Sequence, residues 1–241
     1  MTGQIPEQDS FTFEGVGLLQ RREVEKDEQR TKTTVDLVAQ TQSSLGVETN
    51  TIRITLYGSA AEAANGLELG KPVAVHGQIL GDVNRPHEIG GLRALIPAAN
   101  EPAGFHVVQG KRLVGTGIAP ASDTAEKGFR FEARGTLLRD PKRFGYSEQF
   151  TQAVLQRPRE TYLGSGSTYV EVQCGGDAAD SLADMRKGRG AYVNGTIHGI
   201  SRQNVTGEDV IDLYFNADTA IKVNSPQVRT EGPKKVASMS L

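Results

Sequence analysis

Gly176-Asp-Ala-Ala-Asp-Ser-Leu-Ala-Asp-Met-Arg-Lys-Gly188, followed by Arg189-Gly-Ala-Tyr-Val-Asn-Gly195-Thr-Ile197, is the stretch that decides the fold. Asp177 and Asp180 open it, and Arg186 and Lys187 close it. That order complements the dipole of a short helix, with acids at its N-terminal turn and bases at its C-terminal turn. Gly188 supplies the left-handed stop that commonly ends a helix. Leu182 and Met185 stand three apart and share one face. A strand with a glycine inside it, Gly195, follows.

The same grammar occurs once before. Gly58-Ser-Ala-Ala-Glu-Ala-Ala-Asn-Gly-Leu-Glu-Leu-Gly70 precedes Lys71-Pro-Val-Ala-Val-His-Gly77-Gln-Ile79. Gly58 pairs with Gly176, Gly70 with Gly188, Gly77 with Gly195 and Ile79 with Ile197, each at an offset of 118. Phe11-Thr-Phe-Glu-Gly-Val-Gly-Leu-Leu-Gln-Arg21 matches Phe129-Arg-Phe-Glu-Ala-Arg-Gly-Thr-Leu-Leu-Arg139 at the same offset. These windows hold 13 identities in 33 positions, where composition alone would give about two. The chain reads as an internal duplication with two copies, each long enough for its own core, and not as a solenoid.

Composition narrows the function. The 241 residues suit two domains of ordinary size. With 27 basic and 29 acidic residues, the chain is no bulk polyanion binder, so any nucleic-acid contact must use local patches. Cys174 is the single cysteine, which leaves no intramolecular disulfide and no cysteine-based zinc site, and suits a reducing compartment. No stretch resembles a signal peptide or a membrane span, and a cytoplasmic protein is expected.

In chain order, the pattern predicts strands near 11–21, 33–39 and 51–57, the alanine-rich helix, then strands at 72–80 and 92–96. Charges of both signs between Arg21 and Lys32 suggest a solvated loop, and the polar 41–50 and 82–91 suggest two more. A further strand at 112–118 fits the connection between copies. The second copy repeats the order, with strands at 129–138, 150–156, 168–174, 191–200 and 209–216. Loops are expected at 139–147 and 157–167, and one containing Arg202, Asn204 and Gly207. The expected domains are 11–118 and 129–223, joined by a linker over 119–128, with a disordered start over 1–10 and a flexible tail over 224–241.

Five strands with one short helix between the third and fourth is the plan of the OB-fold, a partly open Greek-key barrel. A glycine inside strand four suits the bulge at which a barrel strand turns. The fold class expected is all-β, with two tandem OB-fold barrels. Another small β-barrel with a helix is the alternative.

Cys174-Gly-Gly-Asp-Ala-Ala-Asp-Ser-Leu-Ala-Asp-Met-Arg-Lys-Gly188 and Val193-Asn-Gly195-Thr-Ile197 resemble the helix and fourth strand of bacterial single-stranded DNA-binding proteins. Tyr57-Gly58 with Ala61-Glu62 and Gly70 resembles the same run, and Thr136-Leu-Leu-Arg-Asp-Pro141 looks like the family's first-strand ending. The resemblance implies single-strand binding in replication, repair or recombination, and a homodimer supplying four OB folds. The chain departs from the family in three places. It has no Trp, Thr168 stands where the family places a Trp, and the aromatic before the glycine of strand three is Tyr57 in copy one but Cys174 in copy two. The family's acidic C-terminal tip has no counterpart in Lys234-Lys235-Val-Ala-Ser-Met-Ser-Leu241, so partner recruitment by that route is not expected.

Single-strand binding needs a cationic groove and flat side chains on which bases stack. Copy two offers both, since Arg139, Lys142 and Arg143 adjoin Phe144 and Tyr146, and Arg157 and Arg159 adjoin Tyr162. Two solvated loops with tucked aromatics would read the same way. Tyr169 on the outward side of its strand, and Arg202 in the last loop, are further candidates. Copy one offers only Arg53 and Tyr57, Tyr57 being either core or platform, so weaker binding or a scaffold role is expected there. Phe11, Phe13, Phe129 and Phe131 repeat and read as core. Catalysis lacks support, because the four histidines are scattered and no phosphate-cradling glycine loop is present. Neither a metal nor a cofactor is expected, and Cys174 without a neighbouring His reads as inert. A duplicated scaffold for protein contacts is the alternative function. DNA and RNA both stay open as partners, since contacts to the 2′-hydroxyl tell them apart.

Overall fold

A computed structural model describes residues 8–26, 31–43, 46–83, 88–89, 92–93, 108–145, 149–161, 164–204 and 206–224. The first half holds β1 (Ser10–Lys26), β2 (Thr31–Ser43), β3 (Gly46–Tyr57), α1 (Gly58–Asn65), β4 (Pro72–Val83), the two-residue β5 (Glu88–Ile89) and β6 (Leu92–Arg93), and β7 (Val108–Pro120). The second holds β8 (Gly128–Leu137), β9 (Lys142–Phe144), β10 (Phe150–Thr161), β11 (Gly164–Gly175), α2 (Gly176–Ala183), β12 (Gly190–Gln203) and β13 (Asp209–Val223).

Strand pairing in the first half runs β1–β2–β3–β7–β4 and returns to β1, with β3 and β7 parallel and the rest antiparallel. The second half repeats it as β8–β10–β11–β13–β12 and back to β8, again with one parallel pair, β11 and β13. Alternation explains the strands: Phe11 and Phe13 of β1 point inward and are buried, whereas Thr12 and Glu14 face out. Phe129 and Phe131 do the same in β8, and Phe131 meets Phe215 edge-to-face at 5.3 Å.

Polar detail also recurs at the 118 offset. Buried Thr33 donates its hydroxyl to the carbonyl of Ala61 in α1 at 3.3 Å, and buried Thr151 donates to Ala179 in α2 at 3.0 Å. The amide of Gly70 donates to Leu19 at 2.8 Å, and that of Gly188 to Leu137 at 2.9 Å. Gly70 and Gly188 both have φ +79, the left-handed region that glycine enters without penalty.

Several expected boundaries shift. The stretch 21–32, expected as a solvated loop, forms the outer part of the β1–β2 ladder out to Lys26 opposite Thr31; residues 27–30 lie outside the described residues. Opposite charges facing across the strands explain this, since Lys32 lies opposite Glu25 and pairs with it at 3.0 Å. The described residues of the expected loops at 41–50 and 157–167 are likewise the ends of ladders, out to Ser43 opposite Gly46 and Thr161 opposite Gly164; residues 44–45 and 162–163 lie outside the described residues. Of the expected strand 92–96, Leu92–Arg93 pair only with Glu88–Ile89, and the rest lies outside the described residues. The strand that completes the first half is β7. The helix α2 stops at Ala183, short of Arg186 and Lys187. The amides of Lys187 and Gly188 are taken instead by Asp140 Oδ1 and Leu137 O, at 2.7 and 2.9 Å, which draws the chain off the helix axis.

The two halves join through β1 and β8. They pair antiparallel with Phe13 opposite Phe131, the same position in each half. Two reciprocal clamps flank this seam. Asn50 on β3 donates Nδ2 to the Ile197 carbonyl at 2.6 Å and accepts the Gly199 amide at 2.8 Å. Thr168 on β11 accepts the Gly81 amide at 3.0 Å and donates to the Gly81 carbonyl at 3.2 Å. Asn50 and Thr168 occupy equivalent places, as do Gly81 and Gly199.

The glycine expected at a bulge in strand four is there twice. The β4–β7 register shifts between His76 and Gly77, and the β12–β13 register between Asn194 and Gly195. A Cβ at Gly195 would lie 1.9 Å from the Asn216 carbonyl oxygen, and one at Gly77 would lie 2.2 Å from that of Val114. Gly195→Ala is therefore expected to cost about 2 kcal/mol through overpacking, a fall of roughly 4–8 °C in the calorimetric midpoint. An unchanged midpoint would mean that the strands close without this backbone approach.

Candidate nucleic-acid interface

Pro141 shapes this end of the molecule. In the first half β1 runs on unbroken to Lys26, but the matching path after Leu137 meets Asp140-Pro141, and proline has no N–H to offer a ladder. The chain leaves β8 and returns as β9 alone, pairing with β10 at Lys142 opposite Gln152, Arg143 opposite Thr151 and Phe144 opposite Phe150. Arg143 Nη2 meets Asp180 of α2 at 2.7 Å and ties this strand to the helix. Asp140 accepts the Lys187 amide and ties the same segment to the turn after α2.

Phe144 and Phe150 stand side by side on these two strands, 37% and 40% exposed, with ring centroids 5.6 Å apart and planes tilted by 30°. Glycines make room for the Phe150 ring: a Cβ at Gly145 would lie 2.9 Å from it and one at Gly175 3.3 Å. Lys142 is exposed and Arg139 half-buried. In the turn after α2, Arg186, Lys187 and Arg189 are all exposed. Their equivalents after α1 are Glu68, Leu69 and Lys71, so the second half gathers cations where the first half is neutral.

Sequence reasoning missed Phe150 and the turn cations. Phe150 reads as the first residue of a strand, and Arg186 and Lys187 as helix-end charges. A usable signal is present in Phe144-Gly145 and Phe150, two aromatics bracketing one short loop.

Tyr57 is 47% exposed and stands opposite Lys32. The equivalent cross-strand pair in the second half is Phe150 opposite Gly175. One ring occupies the place in each half, carried by β3 in the first and by β10 in the second.

The other candidates lie elsewhere. Arg53 forms a two-pronged pair with the largely buried Asp36, at 2.7 and 2.8 Å, and donates Nη1 to the Asp209 carbonyl at 3.0 Å. It thus bridges β3 to the second half. Arg157 lies over the Phe11 ring at 5.5 Å and donates to Gln78 Oε1 at 3.3 Å, so it too spans the seam. Burial, together with the like charge of Arg159, lowers its pKa, and Asp9 opposes the shift. Arg159 is half-buried on β10, and Tyr169 is half-buried on the outer side of β11, opposite Gln156. Arg202 is exposed and paired with Asp212. Tyr146 and Tyr162 lie outside the described residues. Thr168 is fully buried in its clamp, which accounts for the missing aromatic there.

Burial pushes the Cys174 thiol up to about 11, and its S–H donates to the Thr151 carbonyl. Among the described residues no cluster of His, Cys, Asp or Glu is placed to hold a metal ion, and no helix is long and apolar enough to cross a membrane.

The fold has counterparts in solved structures. The chain superposes on the wild-type single-stranded DNA binding protein from Thermus aquaticus with a TM-score of 0.60 and 18% identity, over 93% of this chain and 98% of that one. It has the fold of that protein. A deletion mutant of the same Thermus aquaticus protein gives a TM-score of 0.62 at 17% identity, over 92% of this chain and 98% of that chain. No protein-family model matches the chain, and no curated protein matches it by sequence. The likeness to the single-stranded DNA binding protein takes in both halves.

The environment of Cys174 makes a direct prediction. A thiol held protonated and buried does not react with a disulfide reagent at neutral pH. Ellman's reagent should therefore release its chromophore only after denaturant is added, and rapid labelling of the folded protein would contradict the placement.

Proposed function

We propose that the chain binds single-stranded DNA without sequence preference and acts in replication, repair or recombination. The observation that carries this reading is the fold likeness to the Thermus aquaticus single-stranded DNA binding protein, which extends over both halves of this chain and nearly all of that one. The returning pairing order in each half, with its single parallel pair and its helix between the third and fourth strands, supports two tandem OB-fold barrels derived by duplication. Domains over 11–118 and 129–223 follow from that reading.

The mechanism is electrostatic capture of phosphates followed by stacking of bases on exposed rings. Arg139, Lys142 and Arg143 beside Phe144 are the residues for it in the second half, with Tyr57 the corresponding ring in the first. No reaction is assigned, and neither a metal nor a cofactor enters the mechanism. Two chains assembling as a homodimer would present four barrels, and a cytoplasmic setting suits the single reduced cysteine.

Fluorescence anisotropy tests the reading. A labelled oligothymidine titrated at low and moderate salt should bind, weaken steeply as salt rises, and outcompete a duplex of equal length. Failure to bind at low salt would overturn it and leave a duplicated scaffold for protein contacts.

A further inference from the structure

We propose that the main single-strand contact in the second half is a composite site: Phe144 and Phe150 as the base-stacking step, with Lys142 and the turn cations Arg186, Lys187 and Arg189 as phosphate contacts. The proposal rests on the single-strand reading above and deepens it. Phe150, Arg186, Lys187 and Arg189 are new to it.

The geometry defines the occupant. Two phenyl rings 5.6 Å apart and tilted by 30° are too close for a base to slide between them, so a base stacks on their open faces. Leaving two Phe side chains more than a third exposed forgoes burial of apolar surface. The sequence could have avoided it, yet Gly145 and Gly175 instead clear space for the Phe150 ring. Two short bonds, Arg143 to Asp180 and the Lys187 amide to Asp140, fix β9, α2 and the turn relative to one another. Flat apolar faces on a segment tied to a turn of exposed cations suit a polyanion that shows its base faces. A duplex stacks those faces on one another, so the site selects the single strand.

The described residues of the first half lack this combination at the matching place. The ring at that place is Tyr57, and the turn after α1 carries Glu68, Leu69 and Lys71. The two halves share a fold, and the site makes them unequal partners for DNA.

The absence of Trp from the chain makes the test clean, because Phe150→Trp introduces a single tryptophan, excited apart from the tyrosines, at the site. Its emission should be quenched as oligothymidine saturates the protein. Phe150→Ala combined with Phe144→Ala should weaken binding roughly 5- to 100-fold. Replacing Arg186, Lys187 and Arg189 by Gln should lower the slope of log K against log salt by about 2, at about 0.7 for each phosphate no longer neutralised. If Phe150→Trp binds normally with unchanged emission, or the alanine pair binds as the unaltered chain does, the composite site is wrong while the single-strand reading stands. If the unaltered chain does not bind oligothymidine, both fall.

Discussion

The antiparallel pairing of β1 with β8 is the constraint on which everything else hangs. Each strand meets its own counterpart, Phe13 opposite Phe131, so the seam has the symmetry of a dimer interface within one chain. Strand β1 spends its N-terminal part on this seam and its C-terminal part on β2. One continuous strand therefore fixes the first half and the junction together. The Asn50 and Thr168 clamps repeat the symmetry on either side and bring each half's third strand against the other's fourth. Gly199 is obligatory there, because a Cβ would lie 1.8 Å from the Thr51 carbonyl oxygen.

Within this symmetric frame the two halves diverge at one end. The β1–β2 ladder, carrying the Arg21–Glu23 and Lys32–Glu25 ion pairs, closes the first half. In it Arg22 reaches back to the carbonyls of Ala64, Asn65 and Leu67 at 3.0, 2.9 and 2.7 Å, satisfying groups that a helix end leaves open. Pro141 interrupts the matching strand in the second half, and the freed segment is rebuilt from β9 and a turn of cations. A single residue without an N–H thus separates a closed, charge-balanced corner from an open, basic and aromatic one.

Much of this is legible in the sequence because the repeat preserves backbone demands. Gly70 and Gly188 hold left-handed turns, Gly77 and Gly195 hold bulges, and Phe11, Phe13, Phe129 and Phe131 fill the core. The strand at 112–118 is legible, and β7 contains it, but its place as the fifth strand of the first half is not, because the fixed offset ends after β4. Gly77 faces Gly115 and Gly195 faces Ala217, an offset of 102, so the rule of 118 points to 92–96 instead of β7. Phe150 is hidden for a related reason. The aromatic moves from the third strand to the second between copies, and only the register of β10 against β11 reveals that the two positions face each other. Arg53 and Arg157 look like groove cations in the sequence, since no local pattern says what the other half lays over them.

The central claim is that a symmetric frame carries an asymmetric binding face. Ultraviolet cross-linking to an oligonucleotide bearing 5-bromouracil, followed by peptide mapping, tests it most directly. The account predicts adducts concentrated in peptides spanning residues 142–150 and 184–189. Adducts confined to the first half, around Lys32 and Tyr57, would contradict it.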